Sequence, residues 1–413
     1  MENQALQKNA NIVLVSCVLF NLTIGGLYAW SVLKSKLTAP VGAGGWEWTS
    51  SQAGLPYTVA IITTATCMMI GGRIQDKIGP RRVLMAGGAL VGLGMILSGL
   101  VGNSVLGITL SFGVITGMGT GFGYSCATPP ALKWFHPGRK GLISGLIVGG
   151  FGLSALYFAP LTSTLLNRFG IETTFLLLGA GVMVMGVLVS RFVKNPPPGY
   201  IPATPAKLKQ SAVKTAPSVD FTFTEMLKTK RFYMMFLMFL LAASVGLMVI
   251  GNVTKIAQNQ IGITDAAVLA SVVSFLAVTN TVGRVIGGMM SDKIGRINAL
   301  YAVFILNMLN MGAFMFYNNL FLLVIGIIGV GFCFGTLLSV FPALTADQYG
   351  LKNFGVNYGI MFMAWGLSGI IAPVIADYFF DMNGSFNTAY VICAVMMGVM
   401  ILVNYLLQKE ISR

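Results

Sequence analysis

The chain has 413 residues, 55% of them hydrophobic and only 9% charged, with a mean hydropathy of +0.80. A soluble domain carries about 25% charged residues, so the composition excludes a water-soluble globular protein and indicates a polytopic membrane protein. The net charge of +14 raises nucleic acid as a partner, but the placement of the charges, below, accounts for it without one.

Apolar runs long enough to cross a bilayer, ~20 residues each, number twelve: 11–33, 52–72, 83–102, 105–132, 141–166, 172–192, 232–256, 266–290, 298–317, 320–345, 355–379 and 386–407. The first is followed by no cleavage site of small residues and is expected to be a retained helix. Five cysteines, Cys17, Cys67, Cys126, Cys333 and Cys393, all fall inside apolar runs with no C-x-x-C pair. Buried apolar thiols are therefore expected, without disulfides, metal or cofactor.

Orientation follows from lysine and arginine, which favour cytoplasmic segments. With the N-terminus in the cytoplasm, 21 of the 26 basic residues fall inside, four (Lys34, Lys36, Arg168, Lys255) fall outside, and Arg284 lies within a span. That asymmetry sets the expected topology, both termini cytoplasmic in the cell's inner membrane. The longest polar stretch, rich in Pro, Thr and Lys, separates six spans from six. The expected organisation is an N-terminal six-helix bundle over 1–193, a cytoplasmic linker over 194–230 with a short amphipathic helix near Phe221–Thr229, and a C-terminal bundle over 231–413.

The two halves repeat. Gly72-Arg-Ile-Gln-Asp76-Lys77-Ile-Gly79 follows the second span, and Gly288-Met-Met-Ser-Asp292-Lys293-Ile-Gly295-Arg296 follows the eighth, 216 residues later. Both read G-x-x-x-D-K-I-G. Matching elements in two halves imply a duplicated fold with a site between the halves. Asp76, Arg81, Asp292 and Arg296 are candidates for a conformational latch, because a carboxylate there can cap a neighbouring helix N-terminus or pair with a basic residue.

This element, found twice at corresponding helices, resembles the signature loop of the major facilitator superfamily. The resemblance implies an all-α membrane protein with twelve transmembrane helices in two pseudo-symmetric halves. A narrower set of motifs is similar to the oxalate/formate antiporter and monocarboxylate transporter branch: Gly26-Leu-Tyr28-Ala-Trp30-Ser31, Gly123-Tyr124, Lys133-Trp134-Phe135-His136-Pro137 with Arg139-Lys140-Gly141, Arg284 and Asn357-Tyr358-Gly359. In that branch the arginine of the eighth helix binds substrate carboxylate within an aromatic enclosure. The resemblance thus implicates Arg284, Tyr28 and Tyr124, with Phe334 and Phe362 at places where the oxalate relative has aromatics. The chain departs from the branch twice: Trp365 stands where the oxalate antiporter has a second cation, and Asn280 stands where animal monocarboxylate transporters have an aspartate.

The residues argue in the same direction. Arg284 lies eight residues before the charged pair Asp292-Lys293, or ~12 Å along a helix, near mid-depth in a ~30 Å core. A charge centred there costs ~2.5–3.5 kcal/mol on insertion scales, so it faces the bundle interior or a water-filled cavity. Every Asp and Glu is expected near a span end or in a loop, which disfavours a protein counter-ion and leaves the guanidinium for an incoming anion. A guanidinium matches a carboxylate with two parallel hydrogen bonds. A lone cation suits a monocarboxylate, since a dicarboxylate would bury a second, unmatched charge. Asn280, one turn away on the same face, is placed to orient Arg284, to contact a substrate hydroxyl, or to bridge to another helix; the sequence leaves these open. Phe334, Phe362 and Trp365 are candidates for an apolar wall. Glycines at 113, 117 and 121, and at 141, 145 and 149, repeat every four residues and permit close helix approach.

The expected function is alternating-access transport of a small monocarboxylate such as lactate or pyruvate, with a proton, by a monomer. Carboxylate exchange of the oxalate/formate type is the alternative coupling. A receptor or sensor on a transporter scaffold is an alternative of another class. No nucleophile–base pair, phosphate loop or metal cluster suggests an enzyme.

Overall fold

The computed structural model describes residues 2–26, 30–202 and 220–412. It is helical nearly throughout. α1 (Glu2–Ile24) and α2 (Trp30–Leu37) cover the first expected span. α3 (Ser50–Ile78) begins at a capping box: the Thr49 hydroxyl accepts from the Gln52 N–H at 3.2 Å, and the Gln52 side chain accepts from the Thr49 N–H at 2.9 Å. These contacts satisfy two of the donors that a helix start leaves orphaned. α4 (Pro80–Leu100) follows directly. α5 (Val105–Ile108), a π-helical stretch over Thr109–Thr116 and α6 (Gly117–Trp134) run on as one rod.

α7 (Lys140–Ser190) has 51 residues, ~75 Å at 1.5 Å per residue, far more than one crossing needs. Gly170, at φ 77°, divides it where the fifth and sixth spans are expected to meet. α8 (Phe223–Met226) is the short linker helix, closed by a second capping box, Thr222 with Glu225. The Thr222 backbone N–H and hydroxyl hold the Glu225 carboxyl below its ordinary pKa. The remaining helices are α9 (Lys230–Ile261), α10 (Ala266–Ile294), α11 (Arg296–Phe314), α12 (Leu320–Tyr349), α13 (Phe354–Asn383) and α14 (Asn387–Ser412).

Among the described residues, ten helical segments are long and apolar enough to cross a membrane, and the one over Pro137–Ser190 holds two crossings divided at Gly170. With α1, each of the twelve expected crossings has its helix. Large apolar side chains face outward along these helices, among them Leu106, Leu309 and Phe321 at 69%, 62% and 74% exposure. A soluble surface would not tolerate that density; a lipid-facing surface requires it.

The two signature loops adopt the same backbone. Gly79 (φ 87°, ψ 162°) joins α3 to α4, and Gly295 (φ 88°, ψ 155°) joins α10 to α11. That region is essentially restricted to glycine, which explains why both copies of the motif end on one.

The chain divides into two compact units. One comprises Met1–His136, Gly150–Ala212 and Leu351–Ile360; the other comprises Pro137–Gly149, Val213–Gly350 and Met361–Arg413. In the first, Gly113, Gly117 and Gly121 set the π-helical stretch and α6 against α3, where an added Cβ would stand 3.1, 2.8 and 2.5 Å from the carbonyls of Pro56, Ala60 and Thr64. The second is centred on Phe239, Phe304, Phe314, Phe341 and Tyr390, all fully buried, with Phe239 and Phe341 stacked at 4.3 Å.

Candidate substrate site

The candidate site is centred on α10, against which α12 packs closely. Gly331 and Gly335 of α12 lie so close to α10 that a Cβ at Gly335 would collide with the Asn280 carbonyl. Gly283 and Gly287 of α10 face the Phe332 carbonyl and the Thr336 side chain as closely. Small residues at such a crossing let two backbones meet. The turn of α10 that carries Asn280 and Arg284 is therefore clamped. The first turns of α7 press on the same turn, since a Cβ at Gly141 or Gly145 would collide with the carbonyl of Gly288 or Arg284.

Arg284 is 1% exposed, one of the largest fully buried side chains in the protein. Its Nε donates to the Asn280 Oδ1 at 3.1 Å, and its Nη1 donates to the Val148 carbonyl of α7 at 2.7 Å. The acceptors in these two contacts are neutral oxygens, which fix the direction of the guanidinium. Asn280 thus meets Arg284 through its carbonyl oxygen. Val148 had no signal of its own in the sequence; the glycine spacing at 141, 145 and 149 marked only that something approaches there.

The aromatics divide between the units. Phe362 and Trp365 stack at 5.0 Å in the second unit, and Phe362 meets Phe239 edge-on at 6.0 Å. Phe334 is 3% exposed and packs on Gly246 of α9. The buried Nε1 of Trp365 has no hydrogen-bond acceptor among the described residues. A buried donor without an acceptor is costly. Tyr124 belongs to the first unit, 6% exposed and edge-on to Phe151 at 5.1 Å. Tyr28 lies outside the described residues.

The signature-loop residues form two unequal clusters. Asp292 accepts from the backbone N–H groups of Gly141 and Leu142, at 2.8 and 2.7 Å, capping the start of α7. It also pairs with Arg296 at 2.5 Å. Arg296 reaches on to Asp347 at 3.0 Å, and Asp347 pairs with Lys140 at 2.8 Å. In the first unit, Asp76 accepts from the Val356 N–H, at the start of α13, at 3.3 Å. Arg81, the remaining latch candidate, is exposed and makes no hydrogen bond or ion pair among the described residues. Lys140 belongs to the Arg139-Lys140-Gly141 motif, whereas Asp347 has no signal in the sequence beyond that of an ordinary loop charge.

The same 216-residue offset that relates the two loops carries Arg284 onto Met68. The contact is repeated as well. A Cβ at Gly359 would stand 2.9 Å from the Met68 carbonyl, as one at Gly145 meets that of Arg284. Within this duplicated scaffold, a thioether occupies one copy of the position and a guanidinium the other.

The model of the Major Facilitator Superfamily matches residues 11–319 and 303–412. The chain belongs to that family of transporters and is not an enzyme. It is 32% identical over 372 residues to a protein of Escherichia coli (strain K12) named as an uncharacterized MFS-type transporter, YhjX, with 88% of this chain and 87% of that protein covered. It is 28% identical to the oxalate:formate antiporter of Oxalobacter formigenes, covering 95% of this chain and 90% of that one. It is 24% identical to monocarboxylate transporter 12 of Rattus norvegicus, covering 84% and 75%. Among solved structures, the fucose:proton symporter of E. coli superposes with a TM-score of 0.72 at 15% identity, over 96% of this chain and 98% of the other. The fold is that of the family, and the relatives place the chain in the oxalate/formate antiporter and monocarboxylate transporter branch.

Proposed function

We propose that the protein carries small monocarboxylates of the lactate or pyruvate type by alternating access, with a proton. The observation that supports this reading is Arg284: a permanent cation, 1% exposed, in the middle of a membrane helix, aimed by the neutral oxygens of Asn280 and Val148. In a low-dielectric site such a group recognises a carboxylate by charge and by paired donors. Trp365, at the place of the oxalate antiporter's second cation, restricts the match to one carboxylate, and its indole N–H supplies a donor for a keto or hydroxyl oxygen beside it.

Asp292 and Asp76 act in this reading as latches. Each caps the start of a helix remote in sequence, and such a contact must break if that helix end moves. The distribution of Lys and Arg supports cytoplasmic termini.

The test is uptake of labelled lactate into proteoliposomes. An imposed inward proton gradient is expected to drive uptake into vesicles without internal substrate, and Arg284→Gln to abolish it. A fully active Arg284→Gln protein would remove the proposed site. Carboxylate exchange is the second reading, favoured by the antiporter among the relatives. It predicts uptake only when the vesicles are preloaded with a carboxylate.

A further inference from the structure

Where α9 begins and α12 and α14 end, the second unit carries an open pocket of ≈ 480 Å³, within the size range of small-molecule sites. Phe221 and Tyr349 form one wall, with rings edge-on at 5.6 Å and the Phe221 N–H donating to the Tyr349 carbonyl at 3.1 Å. The Tyr349 hydroxyl and the Thr229 Oγ1 share a hydrogen bond of 3.0 Å. Three cations, Lys228, Lys230 and Arg231, line the pocket beside one carboxylate, Glu410. Arg231 is held in place by neutral acceptors, the Gln348 Oε1 at 3.4 Å and the Glu410 backbone carbonyl at 3.3 Å. Lys230 and Arg231 are in no ion pair among the described residues, while Lys228 interacts electrostatically with Glu225.

Two further features point to an anion. Lys230 and Arg231 occupy the first turn of α9, which holds no acidic residue. The N-terminus of a helix carries partial positive charge, so cations there are disfavoured and an anion relieves them. The pocket also lies at headgroup depth. Lys230 opens a membrane span, and Tyr233 and Tyr405 at the same end are 60% and 46% exposed. The Lys409 ammonium stands 4.5 Å from the Tyr405 ring centroid. Outward tyrosines with flanking lysines mark the membrane interface.

We propose that this pocket binds a phosphate-bearing anion, supplied by the headgroup of an anionic phospholipid. The volume exceeds what a bare phosphate fills and accommodates a glycerophosphate, and basic pockets between membrane helices take such headgroups. The site is separate from Arg284, so its failure leaves the transport reading untouched.

The test uses the full chain, purified in a neutral detergent and stripped of lipid. Native mass spectrometry and thermal melting are followed with phosphatidylglycerol, with phosphatidylcholine and with inorganic phosphate. Phosphatidylglycerol is expected to be retained and to raise the melting temperature, and phosphatidylcholine, which has no net charge, is not. The double substitution K230Q/R231Q is expected to weaken retention by about fivefold per cation removed. Glu410→Gln is expected to strengthen it, which guards against a loss caused only by misfolding. Protection by inorganic phosphate alone would keep the site and overturn the lipid as its source. Equal behaviour of the two lipids with no effect of phosphate would overturn the proposal, as would unchanged binding in both variants.

Discussion

The backbone of Gly145 lies against the carbonyl of Arg284, close enough that a side chain at 145 has nowhere to go. Three residues further along α7, the Val148 carbonyl accepts from the same arginine. The close approach and the hydrogen bond are one arrangement: the glycine lets α7 come near enough for its carbonyl to reach the guanidinium. Gly145→Leu is therefore expected to abolish lactate uptake while the protein still reaches the membrane. Gly149→Ala is the control, since its added methyl would meet Val285 Cγ2 at an ordinary 3.5 Å and uptake should stay near wild type. Equal activity of the two variants would break the link between the approach and the site.

The hydrogen bond from Arg284 to Asn280 carries a second prediction. A hydrogen bond to a charged group contributes ~1.5–3 kcal/mol, so Asn280→Ala should raise KM for lactate by about 10-fold or more, with a smaller effect on turnover. Asn280→Asp should do worse, because a fixed carboxylate at 3.1 Å competes with the substrate for the guanidinium. Initial-rate kinetics in proteoliposomes decide it. An unchanged KM in the Asn280→Asp protein would mean that Arg284 does not meet the substrate's charge.

These two cases mark what was legible in the sequence. The spans, the duplicated loop and the isolated arginine are local signals: hydropathy over ~20 residues, a repeated motif, and a charge in an apolar run. The matching φ at Gly79 and Gly295 follows from the repeat. Asn280 was visible because a helix places i and i+4 on one face. What stayed hidden joins residues far apart in the chain. Val148 contributes a backbone oxygen, which has no residue-type signature. Asp347 and Lys140 are 207 residues apart, and nothing periodic connects them. The Trp365 donor was read as part of an apolar wall because a tryptophan in a run of apolar residues gives no sign of where its N–H points.

The unequal signature loops separate two arginines that the repeat makes look alike. Arg296 bridges Asp292 and Asp347 with its side chain 10% exposed, while Arg81 is exposed. Breaking a buried pair by removing one partner costs ~3–5 kcal/mol; surface substitutions usually stay within ~0.5 kcal/mol. Arg296→Ala should lower the melting temperature and the transport rate markedly, and Arg81→Ala should do neither. Thermal melts of the two purified variants, read beside uptake, check this. A silent Arg296→Ala would show that the network has no part in stability or cycling.

Trp365 carries the substrate prediction. Its side chain stacks on Phe362 and its indole N–H has no acceptor among the described residues. Trp365→Phe keeps an aromatic ring and removes the donor, so it should weaken lactate and pyruvate while leaving an unsubstituted acid such as propionate nearly unchanged. A hydrogen bond between neutral partners contributes ~0.5–1.5 kcal/mol, which sets the expected loss at about 2- to 12-fold. Trp365→Lys adds the cation that the oxalate-type relatives carry there, and should make oxalate an effective competitor of lactate uptake where it was a poor one. Competition assays with lactate, propionate and oxalate on the parent and the two variants give the full matrix. If Trp365→Phe loses propionate as strongly as lactate, Trp365 is reduced to packing, and if Trp365→Lys is indifferent to oxalate, this position has no part in substrate choice.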